Sequence, residues 1–143
     1  MTNSDPRLFE IIDRHIGREG PLLPILHDAQ DMFGCISETH IVEIAAALNL
    51  SRAEISGVVS FYHDFRRARS SKPAIKLCRA EACQSRGVEA LVEAIGHQDR
   101  VAIETVYCLG LCSVGPAAMI GQDVHARLDK TSLSALIERA AAA

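Results

Sequence analysis

Two closely spaced cysteine pairs constrain this chain more than any other feature of its sequence. Cys78 and Cys83 lie in LCRAEACQSRG, and Cys108 and Cys112 lie in YCLGLCSVGPA. Each pair follows a short apolar run that predicts a buried strand. Four thiolates that converge on one point are typical of a metal or iron–sulfur site. The fold therefore has to bring two pairs that are distant in sequence to one place.

The strands that precede the two pairs predict how the pairs meet. Residues 74–77 and 101–107 are predicted strands, and residues 85–95 between them are a predicted helix. A strand, a helix and a second strand in one sheet form a right-handed crossover with parallel strands. Because parallel strands end at the same edge of a sheet, we expect both pairs at one edge. Cys83 would lie just before the helix, where free N–H groups and the helix dipole favour an anionic centre.

Small and apolar residues near the cysteines fit such a centre. Gly87, Gly110 and Gly115 are expected to let the backbone approach sulfur closely, so that N–H donors can tune a cluster. Four further residues beside the second pair would exclude water: Leu109, Leu111, Val114 and Pro116.

The rest of the sequence predicts an α+β fold of two domains. Residues 1–70 contain four amphipathic segments with helical spacing, and these predict a small helical bundle. Asp5, Ser37 and Ser51 are predicted helix caps, and Gly34 is a predicted helix end. Residues 71–143 predict the order β-α-β-β-β-α and carry both cysteine pairs. The polar stretch before Pro73 is typical of a linker.

Composition excludes several classes of function. The net charge of -3 and the pI of about 6.0 have the wrong sign for a general nucleic-acid or lipid-surface binder. No apolar run reaches the roughly 18 residues of a membrane span, so we expect no membrane insertion. No signal peptide is recognised, so we expect a cytoplasmic protein, in which disulfides are disfavoured. The odd count of 5 cysteines also fits a disulfide framework poorly.

The cysteine spacing favours a [2Fe–2S] cluster but leaves other cofactors open. Zinc sites usually contain C-x2-C knuckles, whereas the spacings here are C-x4-C and C-x3-C. Two separated pairs suit a two-iron centre with one pair for each iron. A zinc-stapled interaction module without a redox role remains an alternative, whereas a thioredoxin-type reaction would need C-x-x-C. Cys35 is expected to be a buried free thiol outside the site.

From Arg7 to Arg139 the chain resembles the thioredoxin-like [2Fe–2S] ferredoxin subunits on the flavin side of respiratory complex I. The segments that carry the resemblance are VVSFYHDF, LCRAEACQSRG and YCLGLCSVGPAAMI. It implies a thioredoxin-like fold for the second domain and a [2Fe–2S] cluster. The implied cluster ligands are Cys78, Cys83, Cys108 and Cys112. The chain departs from the usual pattern at Cys35, where a large apolar residue is common, and at Gly115, where alanine is common.

The expected function is that of an electron-transfer subunit. The sequence contains no G-x-G-x-x-G and no P-loop, so a complete dehydrogenase is not expected. We expect a flavin- and NAD-binding partner subunit, because a flavin converts hydride transfer into single-electron steps. The stretch GVVSFYHDFR is most similar to the gamma subunit of soluble molybdenum-containing NAD-dependent formate dehydrogenases. This resemblance implies a larger catalytic subunit that contains molybdenum and iron–sulfur clusters.

Other assemblies and other roles remain open at this point. The same subunit type occurs in the diaphorase of NAD-reducing hydrogenases and in complex I, and a free-standing ferredoxin shuttle is a further alternative. Phe61, Tyr62 and Phe65 are either a docking surface for a partner or a plug between the two domains.

Overall fold

The chain divides into two compact units, with the boundary between Arg69 and Ser70. A computed structural model describes residues 5–143. The sequence places the boundary one residue later, after Ser70. That the units are independently folding domains, 1–70 and 71–143, stays a prediction.

Within residues 5–69, the first unit is built from four helices, as predicted. They are α1 (Pro6–His15), α2 (Leu22–Phe33), α3 (Glu38–Leu48) and α4 (Arg52–Phe61). The side chains of Asp5, Ser37 and Ser51 each accept a backbone N–H at the start of α1, α3 and α4. Gly34 ends α2 with a φ of 79°, a conformation that favours glycine. Local signals in the sequence therefore set the ends of these helices.

The helices of the first unit bury their apolar faces in one core. Eight side chains of this core have no exposed surface: Leu8, Ile25, Leu26, Ala29, Ile36, Ile41, Ile44 and Ile55. Cys35 is a free thiol, as predicted. It is half-buried, however, whereas the sequence predicts a buried residue. It lies in the connection between α2 and α3 and not on the core face of a helix.

The second unit contains a mixed four-stranded sheet in the order β2-β1-β3-β4. The strands are β1 (Ala74–Cys78), β2 (Ala102–Val106), β3 (Ala118–Ile120) and β4 (Asp123–His125). β1 and β2 are parallel, with Cys78 opposite Val106. β3 is antiparallel to both β1 and β4. The predicted parallel pair and the predicted hairpin are both present, and the α+β fold class is confirmed.

The helices of the second unit differ from the prediction at one point. They are α5 (Glu81–Ser85), α6 (Val88–Ile95) and α7 (Lys130–Ala142), and a 3₁₀ turn spans Cys112–Val114. The helix predicted over residues 85–95 is present as α6, which begins three residues later than predicted, whereas the short helix α5 was not predicted. Gly87, with a φ of 88°, separates α5 from α6. Cys83 consequently lies in the middle of α5 and not before a helix N-terminus.

The core of the second unit lies between the sheet and its helices. Ile75, Leu77, Val88 and Leu133 have no exposed surface, and Val101 is 2% exposed. Among residues 5–143, none of the helices has the length and apolar character needed to cross a membrane.

Candidate metal centre

Both cysteine pairs follow the carboxyl ends of the two parallel strands. Cys78 is the last residue of β1, and Cys108 comes two residues after the end of β2. Cys83 lies in α5, and Cys112 opens the 3₁₀ turn that packs against α5. Because β1 and β2 are parallel neighbours, the two pairs lie at one edge of the sheet. The structure brings together the four residues that the sequence singles out.

The sulfur of Cys78 is held in a buried pocket of backbone donors. Burial raises the pKa of this thiol, and Cys78 is only 2% exposed. Hydrogen bonds from the backbone N–H groups of Ala80, Leu109 and Cys108 outweigh this effect, helped by the thiol of Cys83. The pKa of Cys78 therefore lies below its usual value. This position favours a thiolate, which is the form that binds metal.

The neighbouring sulfur of Cys83 is protonated more readily. Burial raises the pKa of Cys83, and its hydrogen bond to the sulfur of Cys78 raises it further. Negative charge on Cys112, from the second pair, acts in the same direction. The two pairs are thus close enough to repel each other when ionised. A cation between them would offset this repulsion, and metal binding would release the protons of the thiols.

The second pair lies on the exposed side of the site. The sulfur atoms of Cys108 and Cys112 are 3.5 Å apart, and both residues are exposed. A hydrogen bond from one thiol to the other, and the charge of Cys108, raise the pKa of Cys112. Cys108 has a φ of 71°, which is unfavourable for a residue with a Cβ. This turn points successive N–H groups at the sulfur of Cys78, as in an anion-binding nest.

The donor set fits a two-iron centre. Its sulfurs come as two thiol pairs at one sheet edge, which matches one pair for each iron. Among residues 5–143, no group of three or more His, Cys, Asp or Glu side chains is arranged to hold a single metal ion.

The three glycines near the site have different surroundings, and the predicted close approach to sulfur is confirmed at Gly115. A Cβ on Gly115 would lie 3.0 Å from the sulfur of Cys83, so the backbone does approach sulfur closely there. No atom lies within 4 Å of a Cβ placed on Gly87 or Gly110. Their φ angles are 88° and 77°, so both supply left-handed turns, and a close approach of their backbone to sulfur stays a prediction. The bond between Gly115 and Pro116 is cis.

The apolar residues around the second pair shield the site only in part. Pro116 is buried, whereas Leu109, Leu111 and Val114 are half-buried. Tyr107 is 76% exposed. The site is therefore closed on the side of β1 and open on the side of the second pair.

Two arginines near the first pair were not identified from the sequence. Arg79 forms a two-pronged ion pair with Glu89, in which Nε donates to a carboxylate oxygen at 2.8 Å. Arg86 lies at the end of α5, and its Cδ is 3.4 Å from the position of a Cβ on Gly115. The signal in the sequence was the presence of two cations within the eleven residues of the first cysteine segment.

Residues 8–141 match the family described as thioredoxin-like [2Fe-2S] ferredoxin, and the chain belongs to this family. Its fold is thioredoxin-like and its cofactor is a [2Fe–2S] cluster. This membership decides in favour of the cluster and against the zinc module that the spacing left open.

Relatives of this chain are subunits of NAD-linked oxidoreductases. The NADP-reducing hydrogenase subunit HndA of Solidesulfovibrio fructosivorans is 31% identical over 76% of this chain and 70% of its own length. A subunit of the NADH-quinone oxidoreductase of Aquifex aeolicus is 26% identical over 93% of this chain and 90% of its own length.

A solved structure of an air-oxidised NAD+-reducing [NiFe]-hydrogenase has the same fold. It superposes with a TM-score of 0.69 at 28% identity, covering 85% of this chain. The chain spans only 23% of that hydrogenase chain.

Proposed function

We propose that this chain is the electron-transfer subunit of an NAD-dependent oxidoreductase. Its [2Fe–2S] cluster would be held by four ligands: Cys78, Cys83, Cys108 and Cys112. The observation that carries the proposal is the convergence of these two thiol pairs at one sheet edge. When bound, such a cluster takes up and releases one electron at a time.

The two cysteine pairs would have different roles in the site. Cys78 and Cys83 are each 2% exposed and anchor the site in β1 and α5. The backbone donors around Cys78 stabilise negative charge on the buried side. Cys108 and Cys112 are exposed and form the edge through which electrons would pass to a partner.

The partner would be a flavin- and NAD-binding subunit. NADH delivers two electrons together as a hydride, and a flavin is the cofactor that splits them into single steps. The sequence of this chain contains neither a dinucleotide-binding G-x-G-x-x-G nor a P-loop. The activity would therefore belong to the complex, which we place in the cytoplasm because free thiols persist there.

The parent complex that we favour is a molybdenum-containing NAD-dependent formate dehydrogenase. The support is the similarity of GVVSFYHDFR to its gamma subunit. The larger partner would then be the catalytic subunit that contains molybdenum and iron–sulfur clusters. The second candidate is an NAD-reducing hydrogenase or complex I, which the names of the relatives favour.

Each unit offers one surface for the partner. In the sheet unit it is the loop of Cys108 and Cys112. In the helical unit it is Phe61 and Tyr62, which are 74% and 43% exposed and pack edge to face. Phe65 is 7% exposed and belongs to the helical core. Exposed aromatic side chains are typical anchors of protein interfaces.

Reconstitution tests this function. The isolated chain should neither oxidise NADH nor reduce NAD+ with formate. Mixed with its flavin subunit, it should co-elute on size exclusion, and NADH should then reduce the cluster where the potentials permit. NADH turnover by the lone, flavin-free chain would contradict the subunit role.

A second arm identifies the parent complex. The native complex should be purified through this chain and supplied with formate or with H2 as the reductant. Reduction of the cluster by formate supports the formate dehydrogenase, whereas reduction by H2 alone supports the hydrogenase.

A further inference from the structure

We propose that Arg86 tunes the electron affinity of the cluster by holding an uncompensated positive charge against the Cys83 side of the site. This inference rests on the cofactor and ligand set of the proposed function. It assigns a role to a residue that is not a ligand.

The break between α5 and α6 fixes the backbone of Arg86. Its N–H closes the end of α5 by donating to the carbonyl groups of Cys83 and Gln84. Gly87 follows with a φ of 88°, which turns the chain away into α6. Arg86 is thereby tied to the same helical turn that carries Cys83.

Next to the sulfur of Cys83, the aliphatic part of the Arg86 side chain lies beside Gly115. A Cβ at this position would lie 3.0 Å from the sulfur of Cys83 and 3.4 Å from Cδ of Arg86. The sulfur and Cδ therefore both line the space that the missing side chain leaves. The guanidinium is joined to this Cδ through Nε, so its charge is held one bond from a carbon that lies beside the Cys83 side of the site.

The charge of Arg86 differs from that of Arg79. The guanidinium of Arg79 is neutralised by Glu89 through two hydrogen bonds. Among the residues that the structure describes, Arg86 has no carboxylate partner within ion-pair distance. Among residues 5–143, Arg86 is therefore a cation near the first cysteine pair that, unlike Arg79, is not neutralised by a carboxylate.

A nearby positive charge stabilises the reduced state more than the oxidised state. One-electron reduction adds one negative charge to the site, so its attraction to Arg86 increases. The result is a more positive reduction potential. Because Arg86 is exposed, the effect should weaken as the salt concentration rises.

The test is a redox titration of the full-length, cluster-loaded chain, followed by electron paramagnetic resonance at low and high KCl. Arg86→Gln should shift the midpoint potential to more negative values at low salt. The expected size is roughly tenfold in the equilibrium constant of reduction, or about 59 mV for one electron. Arg86→Lys, which keeps the charge, should recover most of the shift.

The matched control removes the ion pair between Arg79 and Glu89, which has no net charge. The double variant Arg79→Gln, Glu89→Gln should shift the potential much less than Arg86→Gln. At high salt, the difference between wild type and Arg86→Gln should shrink. Because the signal comes only from loaded protein, a reduced cluster content does not obscure the potential.

Equal potentials for wild type and Arg86→Gln at low salt would overturn this proposal. A shift in Arg86→Lys as large as in Arg86→Gln would overturn it as well, since it would show that packing and not charge matters. Either result leaves the cluster and its ligands standing. Failure of the proposed ligand set would instead appear as iron binding that survives loss of the cysteines.

Discussion

The helical unit and the sheet unit are built from different kinds of information. In the helical unit, side chains such as Ser37 and Ser51 cap the helices within three residues of sequence. In the sheet unit, Cys78 lies opposite Val106, and its N–H donates to the carbonyl of Ala117. One unit is specified by local signals, and the other by pairing between distant segments.

This difference matters for where the chemistry lies. A site with four ligands needs donors from separate segments, and parallel strands bring such segments to one edge. The sheet unit contains four of the five cysteines at this edge, whereas the helical unit contains only the half-buried Cys35. The helical unit instead exposes Phe61 and Tyr62.

The largest effect is expected from the cysteines themselves. The four proposed ligands are Cys78, Cys83, Cys108 and Cys112. Replacing any one of them by alanine should abolish cluster binding or reduce it severely. Cys35→Ala, the same chemical change in the helical unit, should leave iron content unchanged. Analysis of iron and acid-labile sulfide in the purified variants measures their cluster content. Loss of iron in Cys35→Ala with retention in Cys78→Ala would contradict the assignment.

Core truncations should separate the two units further. Ile44 and Leu77 have no exposed surface, so Ile44→Ala and Leu77→Ala should each destabilise the protein by about 2–5 kcal/mol. Leu77→Ala should also weaken cluster retention, because Leu77 precedes Cys78 in β1. Urea unfolding, monitored by circular dichroism and by the absorbance of the cluster, distinguishes loss of stability from loss of the cluster. If the folded Ile44→Ala variant lost as much cluster as Leu77→Ala, cluster retention would depend on the helical unit as well as on the sheet unit.

The smallest effect is expected at the cap of α4. Ser51→Ala should lower the free energy of unfolding by about 1 kcal/mol, since the hydroxyl accepts the N–H of Glu54. Ser56→Ala, inside the same helix, is the control and should have little effect. Cluster content should not change in either variant.

The same cap should weaken in acid. Hydrogen bonds from the backbone and side chain of Ser51 hold the pKa of Glu54 below its usual value. A carboxylate whose pKa is lowered on folding stabilises the protein above its unfolded pKa. This contribution is lost as the pH falls through the folded value. The difference in stability between wild type and Glu54→Gln should therefore shrink at low pH.

The sequence predicts the helix caps and the meeting of the cysteine pairs, because both follow from short-range or topological rules. It does not predict the division into α5 and α6. Val88 and Ile95 both follow Gly87, so the apolar spacing predicts α6 alone and gives no signal for the short helix α5 before it. The exposure of Cys108 and the position of Arg86 also escape prediction, since both depend on turns that bring distant segments together.

The most direct test measures the iron and sulfide content of the purified wild-type chain and the spin state of its reduced centre. With four cysteine ligands and one two-iron centre, we expect about two iron atoms and two sulfides per chain. One-electron reduction should produce a paramagnetic signal typical of a two-iron centre. Bound zinc without sulfide, and no signal on reduction, would contradict the account.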